Sequence, residues 1–234
     1  GGGYGGGAGG CGGGYGGGYD EEGERPMWRQ EYSVGNVPEY QAAALWSTET
    51  ENPLEDGGMN EVHVFGPSGE QVPDAVATFE QCGQIFPPQL IQRLQYAGFT
   101  KPTPIQAHTW AISAVGRDII GIAKTGSGKT LAFLLPGFAK IMQGRPRPPF
   151  ICVLAPTREL ACQIEAEADK FGRAAGIRTA CCYGGAPRGQ QLGALRRGAQ
   201  VVVACPGRLN DFIQSGAVQL QNVNYLVLDE ADRM

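Results

Sequence analysis

The chain has 234 residues, of which 42% are hydrophobic and 18% charged, with a formal charge of −4; this balance excludes a chain that is disordered throughout. Its seven cysteines are odd in number and include no Cys-x-x-Cys pair, so they indicate neither a disulfide framework nor a zinc site. No apolar run reaches the roughly 18 residues that a spanning helix needs, and we expect a cytosolic or nuclear protein.

The charge is divided unevenly along the chain. Residues 1–80 hold 14 Asp/Glu and two Lys/Arg, whereas residues 81–234 hold nine Asp/Glu and 17 Lys/Arg. The first part therefore has a net charge of −12 and the second a net charge of +8. A basic globular part favours a polyanionic partner, with an ordinary solvated surface as the alternative.

Residues 1–60 are predicted to be disordered. Residues 1–18 are mostly glycine, with two tyrosines, and an acidic stretch follows over residues 20–60. This composition buries too little apolar surface to offset the entropy of ordering. Gly/Tyr repeats often accompany RNA-binding proteins, but no arginine supplies the charge of an RGG-type segment, so a flexible linker is the favoured interpretation. Residues 61–78 are predicted to hold a short strand at Val62–Phe65 and a linker.

From Phe79 onward, helical and strand patterns alternate, and we expect one domain over residues 79–234. The predicted helices are Pro88–Ala97, Ile105–Val115, Lys129–Met142, Arg158–Phe171, Pro187–Arg197 and Arg208–Gln214. The predicted strands are Asp118–Ile122, Ile151–Leu154, Thr179–Tyr183, Val201–Ala204 and Tyr225–Asp229. Strands that alternate with helices predict an α/β fold with a parallel sheet covered by helices on both faces.

A glycine-rich run lies between the first predicted strand and the helix that follows it. Its residues are Ala123, Lys124, Thr125, Gly126, Ser127, Gly128, Lys129 and Thr130. Alanine replaces the first glycine of the general phosphate-loop pattern, but the strand before and the helix after are the context that such a loop requires. Backbone N–H groups at a helix N-terminus bind phosphate, and a lysine and a hydroxyl reach the outer phosphates and Mg²⁺.

Two carboxylates, Asp229 and Glu230, stand at the end of the last predicted strand. In phosphate-loop enzymes a strand-terminal aspartate holds Mg²⁺, and an adjacent acid orients or deprotonates the attacking water. We therefore predict catalytic roles for Lys129, Asp229 and Glu230 and a Mg²⁺ site at Thr130 and Asp229. The two histidines, His63 and His108, have no partner at metal-ligand spacing and are predicted to be core or surface residues.

Several motifs together make the chain similar to the first half of a DEAD-box ATP-dependent RNA helicase. Asp229-Glu230-Ala231-Asp232 spells the family's name, and Gly98 to Gln106 resembles its Q motif, which includes Lys101. The resemblance implies that the Gln106 amide reads the adenine edge and that Phe79 stacks on the base, because an amide both donates and accepts. The start of the chain is most similar to the p68/Dbp2-type subgroup.

Three further motifs resemble the family's RNA-facing loops. They are Pro156-Thr157-Arg158, Gly184-Gly185 and Pro206-Gly207-Arg208, each after a predicted strand. The resemblance implies that they hold the phosphates of one RNA strand without reading base sequence. Cys205 stands where the family usually has threonine, which removes one hydroxyl near that strand.

The resemblance implies a RecA-like fold, ATP and Mg²⁺ as cofactors, and RNA as the partner. It also implies that the second RecA-like lobe lies outside these 234 residues, so the chain alone is expected to turn over little ATP. Two alternatives stay open: a helicase of the same superfamily that does not act on RNA, and a module that binds nucleotide or RNA without turnover.

Overall fold

The computed structural model of this chain describes residues 62–66 and 71–234. The disorder predicted for residues 1–60 lies outside these residues. The strand predicted at Val62–Phe65 is wrong, because residues 62–66 have no regular secondary structure. A strand forms only where a neighbour satisfies its backbone hydrogen bonds, and this segment pairs with none of the four strands of the sheet.

The centre of the described structure is a four-stranded parallel sheet. Its strands are β1 (Ile151–Leu154), β2 (Thr179–Cys182), β3 (Val201–Ala204) and β4 (Tyr225–Leu228). They lie in the order β2-β3-β1-β4, and all three pairings are parallel. The carboxyl ends of all four strands therefore lie at one edge of the sheet, where the following loops meet.

Seven α-helices precede and connect these strands in the described residues. They are α1 (Phe79–Cys82), α2 (Pro88–Tyr96), α3 (Pro104–Ala114), α4 (Lys129–Gly144), α5 (Arg158–Gly172), α6 (Arg188–Arg196) and α7 (Pro206–Gln214). Short 3₁₀ turns follow at Arg173–Ala175 and Ala231–Arg233. All six helices predicted from the sequence are confirmed to within two residues at each end, whereas α1 was not predicted.

Helices cover both faces of the sheet, as predicted. One face contributes Ile151, Val153 and Val203 to the larger core, which also contains residues of the first five helices. The other face contributes Val202 and Ala204 to a second core against α6 and α7. Because successive strand residues point to opposite faces, the apolar runs of β1 and β3 fill both cores.

The strand predicted at Asp118–Ile122 is wrong. The segment has no regular structure, and its Ile120 and Ile122 side chains are 95% and 86% exposed. Its β-branched residues favour a strand, but that preference takes effect only in a paired and partly buried segment. Leu226 and Leu228 of the edge strand β4 are likewise exposed, so this margin of the sheet presents apolar side chains to the surface.

The six cysteines in the described residues are free, and Cys82, Cys152 and Cys182 are buried. Burial raises the pKa of the Cys152 thiol to about 11, so it stays protonated and unreactive at neutral pH. Among the described residues, no helix has both the length and the apolar character needed to cross a membrane.

Candidate functional site

The glycine-rich loop has a left-handed backbone, which favours glycine, at two positions. Gly126 and Gly128 have φ angles of +78° and +92°. A Cβ atom on Gly128 would also lie 2.5 Å from the Nε2 atom of Gln106. The loop leads directly into α4, so the backbone N–H groups of its first turn and the positive end of the helix dipole face the loop.

Lys129, the first residue of α4, turns its ammonium group back onto the loop. Its Nζ atom donates to the carbonyl oxygen of Ala123 and to that of Lys124, the latter at 3.0 Å. The hydroxyl of Ser127 is buried and has no hydrogen-bond partner among the described residues. A charged lysine and an unpaired buried donor in one loop fit an anionic ligand such as phosphate.

Gln106 joins α3 to the glycine-rich loop. Its side chain is fully buried; Oε1 accepts from the Thr103 N–H at 3.0 Å and Nε2 donates to the Gly128 carbonyl at 3.1 Å. An amide can make four hydrogen bonds, and these two hold the Gln106 side chain between α3 and the loop. The Thr-x-x-Gln spacing is a capping box that the sequence analysis missed, although the pattern itself signals one.

Phe79 does not present its ring to a ligand. It is 5% exposed and belongs to the larger core, so the prediction that it stacks on adenine is not supported and the ring has a packing role. It begins α1, which has its own capping box at Thr78 and Gln81. Lys101 lies in the loop before α3 and is exposed, which leaves it accessible to a ligand at that side.

Asp229 and Glu230 follow β4 at the carboxyl edge of the sheet. Burial raises the pKa of the Asp229 carboxyl above its usual value, and the nearby Lys129 ammonium offsets part of that rise. Glu230 has a left-handed backbone with φ of +51°, and its carboxylate accepts from Arg233 at 2.8 Å.

The donor set beside the loop suits a hard cation. Thr130 is the second residue of α4, and its hydroxyl and the Asp229 carboxylate are the oxygen ligands that Mg²⁺ prefers. Within the described residues, no three His, Cys, Asp or Glu side chains come together to hold a metal. A cation here would therefore need further oxygens, which the phosphates of a bound nucleotide supply.

Three loops that follow β1, β2 and β3 contain the residues predicted to face RNA. Thr157 accepts from the Leu160 N–H at 3.2 Å and so caps α5. Arg158 is exposed, and its guanidinium lies 4.9 Å from the centre of the Tyr183 ring, which fixes its position by a cation–π contact. Pro156 is partly buried, whereas Gly184, Gly185, Pro206 and Gly207 are all exposed.

Arg208 is held by the protein itself. Its Nη1 atom donates to the Ala186 carbonyl and to Oε1 of Gln191, both at 3.1 Å, and its Nε atom lies 3.7 Å from Asp211. Gln191 in turn donates to the Tyr183 carbonyl at 3.0 Å. Arg208 and Gln191 thus tie the Gly184-Gly185 loop to the start of α7. The sequence analysis did not identify Gln191, which has no motif around it.

Cys205 occupies the N-cap position of α7 but makes no side-chain cap hydrogen bond. Thr157 occupies the same position in α5 and does make one. The two loops are otherwise built alike, each at the end of a central strand. The thiol therefore leaves the first turn of α7 without the side-chain acceptor that stabilises α5.

The chain matches the family model described as DEAD/DEAH box helicase over residues 103–234. It is 54% identical over 175 residues to DEAD-box ATP-dependent RNA helicase 14 of Arabidopsis thaliana, covering 74% of this chain and 28% of that protein. It is also 43% identical over 217 residues to ATP-dependent RNA helicase DBP2 of Vanderwaltozyma polyspora, covering 90% of this chain and 48% of that one.

Among solved structures, the chain is similar to the RNA helicase Prp28 from Chaetomium thermophilum bound to ADP. The TM-score is 0.66 with 41% sequence identity, over 71% of this chain and 41% of that one. The yeast DEAD-box splicing factor Prp28 gives a TM-score of 0.65 with 35% identity. The described fold is thus a RecA-like helicase lobe, and the chain spans less than half the length of each of these relatives.

Proposed function

The chain belongs to the DEAD/DEAH box helicase family, and from that premise we propose that its protein is an ATP-dependent RNA helicase. Its domain over residues 79–234 binds Mg-ATP and one strand of RNA, and the whole protein separates short duplexes. It acts in the nucleus or the cytoplasm, where its substrate RNA is found. The observation that carries the proposal is that Gln106 and Lys129 both donate hydrogen bonds to carbonyl oxygens of the glycine-rich loop.

The residues around that loop have distinct proposed roles. The loop from Ala123 to Gly128 and the N–H groups of the first turn of α4 hold the phosphates, and Lys129 leaves the loop carbonyls to contact them. Thr130 and Asp229 hold Mg²⁺, which when bound neutralises charge on the outer phosphates. Glu230 orients the attacking water. Before the water binds, Arg233 holds the Glu230 carboxylate in place.

Gln106 is proposed to select adenine. Lys101, which is exposed in the loop before α3, is proposed to contact the nucleotide as well. The place of Gln106 supports this role, because its two hydrogen bonds tie α3 to the glycine-rich loop. The RNA contacts are proposed for Pro156, Thr157, Arg158, Gly184, Gly185, Pro206 and Gly207. Arg208 is proposed to contact RNA as well as to position these loops, since its Nη1 atom already donates to Ala186 and Gln191.

Turnover is proposed to need groups outside these 234 residues. Removal of a transition-state arginine from a phosphoryl-transfer site costs on the order of 10³–10⁵ in rate. The chain covers only 28% of the Arabidopsis relative, so the parts of the whole protein that would supply such a group are not represented here. We expect the 234-residue chain to bind nucleotide and RNA but to hydrolyse ATP negligibly.

Calorimetry on the purified chain tests the nucleotide site. Mg-ATP should bind, Lys129→Ala should abolish detectable binding, and Lys140→Ala on the same helix should leave it unchanged. For Gln106→Ala, we expect ATP to weaken more than GTP, since about 1 kcal/mol is lost for each hydrogen bond to the base. Equal weakening of both nucleotides would assign Gln106 to loop support alone, and binding that survives Lys129→Ala would refute the site.

The nucleic-acid arm separates the remaining alternatives. Fluorescence anisotropy with a labelled 12-nucleotide RNA, the matching DNA and Arg158→Gln measures the preference for RNA and the part played by the exposed arginine. A preference for DNA would favour a helicase of the same superfamily that does not act on RNA. ATP turnover by the chain near that of a full-length relative would show that the remainder is dispensable.

A further inference from the structure

The loop between β2 and α6, residues 183–187, is attached to the protein through two of its carbonyl groups. The Tyr183 carbonyl accepts from Nε2 of Gln191 at 3.0 Å. The Ala186 carbonyl accepts from Nη1 of Arg208 at 3.1 Å. Gln191 is 8% exposed, and the side chain of Arg208 is 10% exposed. Both ends of the loop are therefore tied to side chains that lie inside the protein.

Gln191 connects these two attachments. It is the only buried residue of α6, although glutamine is usually found at the surface. Its Oε1 atom accepts from the same Nη1 atom of Arg208 at 3.1 Å. The buried amide thus uses its donor on the loop and its acceptor on α7, which offsets the cost of its burial.

The hydrogen bond from Gln191 sets the direction of the peptide group between Tyr183 and Gly184. This peptide is trans, so its C=O and its N–H point in opposite directions. Because Gln191 holds the carbonyl, the Gly184 N–H points to the other side of the loop. Gly184 is exposed, and no backbone carbonyl in the described part of the chain accepts from its N–H. Such an unpaired N–H can donate to a phosphate oxygen.

The loop's own sequence does not fix this peptide. A Cβ atom on Gly184 or on Gly185 would meet no atom within 4 Å, and Gly185 has a φ angle of +78°. Two successive glycines leave the backbone free to adopt several conformations. The orientation of the Tyr183–Gly184 peptide therefore depends on the side chain that holds its carbonyl, which is Gln191.

A turn of this peptide would leave the neighbouring arginine in place. The Tyr183 ring lies 4.9 Å from the Arg158 guanidinium and is attached at the Cα atom, outside the peptide group. Rotation of the peptide redirects the Gly184 N–H without moving that ring. The contribution of Gln191 can therefore be measured separately from that of Arg158.

We propose that Gln191 is a positioning residue for RNA binding, which holds the Tyr183 carbonyl inward so that the Gly184 N–H faces a phosphate of the RNA strand. The inference rests on the RNA-binding function proposed for the chain. Gln191 acts through the peptide and not by touching RNA, because its side chain is buried. The competing explanation is that Gln191 serves stability alone.

Fluorescence anisotropy with a labelled 12-nucleotide RNA tests the effect on affinity. Gln191→Met removes the donor and the acceptor at similar side-chain length, and it should weaken RNA binding on the order of tenfold, as expected for one hydrogen bond to a charged group. Gln190→Met makes the same change at the exposed neighbouring residue of α6 and should leave RNA affinity unchanged.

The salt dependence distinguishes a lost N–H contact from a lost charge. An N–H group releases no counterion, so Gln191→Met should leave the slope of log affinity against log salt unchanged. Arg158→Gln should make that slope shallower by about 0.7, the value for one phosphate contact on a single strand. An equal change of slope in both variants would overturn the proposed role, because it would mean that Gln191 acts on charged contacts.

Nuclear magnetic resonance observes the peptide directly. Tyrosine labelled with ¹³C at the carbonyl and glycine labelled with ¹⁵N select Tyr-Gly pairs, of which the chain has three, at residues 4–5, 15–16 and 183–184. Gly184→Ala identifies the third signal by removing it. This signal should shift when RNA is added to the parent chain, and the shift should be lost in Gln191→Met at the same RNA saturation.

Gln191→Glu is a second variant that retains an acceptor for Arg208 and removes only the donor to Tyr183. It should lose the RNA-dependent shift as well. Unchanged RNA affinity in Gln191→Met, with Arg158→Gln still weakened, would overturn this inference and leave the proposed function standing. Parallel losses of RNA affinity, Mg-ADP affinity and melting temperature in both Gln191 variants would assign the residue to stability alone. Absence of RNA binding by the parent chain would overturn the proposed function and this inference with it.

Discussion

The glycine-rich loop and the three loops proposed to face RNA are supported differently. The RNA-facing loops follow β1, β2 and β3, which are paired in the sheet and largely buried. The glycine-rich loop follows residues 118–122, which join no strand and expose two isoleucines. The first set is held by the sheet, whereas the second is held by α4, by Gln106 and by its own lysine.

This difference shows that a sequence motif can be present without a paired strand before it to support it. Arg158, Arg208 and Gln191 already make the contacts that fix the RNA-facing loops. Lys129 instead donates hydrogen bonds to two carbonyl oxygens of its own loop. These bonds must break before Lys129 can contact a bound nucleotide. We therefore expect the nucleotide loop to change more than the RNA-facing loops when both ligands are present.

The largest expected effect is on stability. It compares an isoleucine in the sheet with an isoleucine in the unpaired segment before the glycine-rich loop. Ile151 in β1 is fully buried, and Ile151→Ala should cost about 2–5 kcal/mol of unfolding free energy. Ile120→Ala should change stability by no more than about 0.5 kcal/mol, because that side chain is almost fully exposed. Urea unfolding measures both. A cost for Ile120→Ala as large as that for Ile151→Ala would mean that the strand expected at residues 118–122 does form.

At Gly128, the cost of a left-handed backbone can be separated from the cost of the close contact with Gln106. Gly128→Ala should cost roughly 1–2 kcal/mol for its left-handed backbone and more for the clash with Gln106. Gly126 has a similar φ angle but open space around it, so Gly126→Ala isolates the backbone cost. Mg-ADP binding should fall further in Gly128→Ala than in Gly126→Ala, as calorimetry would show. Equal losses would mean that the contact with Gln106 contributes nothing.

Cys205 and Thr157 occupy the same N-cap position in α7 and α5, so exchanging their side chains compares the two helix ends. Cys205→Thr should add the missing N-cap hydrogen bond of α7 and raise stability by about 1 kcal/mol, which corresponds to a melting temperature about 2–4 °C higher. The reciprocal variant, Thr157→Cys, should lower it by a similar amount. Thermal unfolding followed by circular dichroism measures both. No gain for Cys205→Thr would show that another group already satisfies that helix end.

The smallest expected effect concerns His108 on α3. Burial lowers the pKa of His108 below 6.5, so the folded chain favours the neutral imidazole. Its contribution to stability is present above pH 6.5 and is lost as the pH falls through the lowered pKa. His108→Gln should reduce this acid-induced loss, measured as the melting temperature between pH 7 and pH 5.

The sequence alone determined most of the helices and strands and the residues of the motifs, because both depend on local chemistry. Helix periodicity, glycine and proline positions and apolar runs located six of the seven α-helices and the four strands of the sheet. The run from Ala123 to Thr130 was placed before a helix for the same reason. A four-residue helix such as α1 carries too short a pattern to be predicted.

Only the tertiary structure decided which segments were paired and which side chains were buried. Residues 118–122 have the composition of a strand, but a strand also needs a partner, which the local sequence does not specify. Phe79 matched the aromatic position of the family motif, yet its ring is in the core. Arg208 matched an RNA-facing motif, yet its guanidinium binds Ala186 and Gln191, and these lie 17 or more residues away along the chain. Such contacts depend on how the elements pack, and packing is set by the whole domain rather than by any one motif.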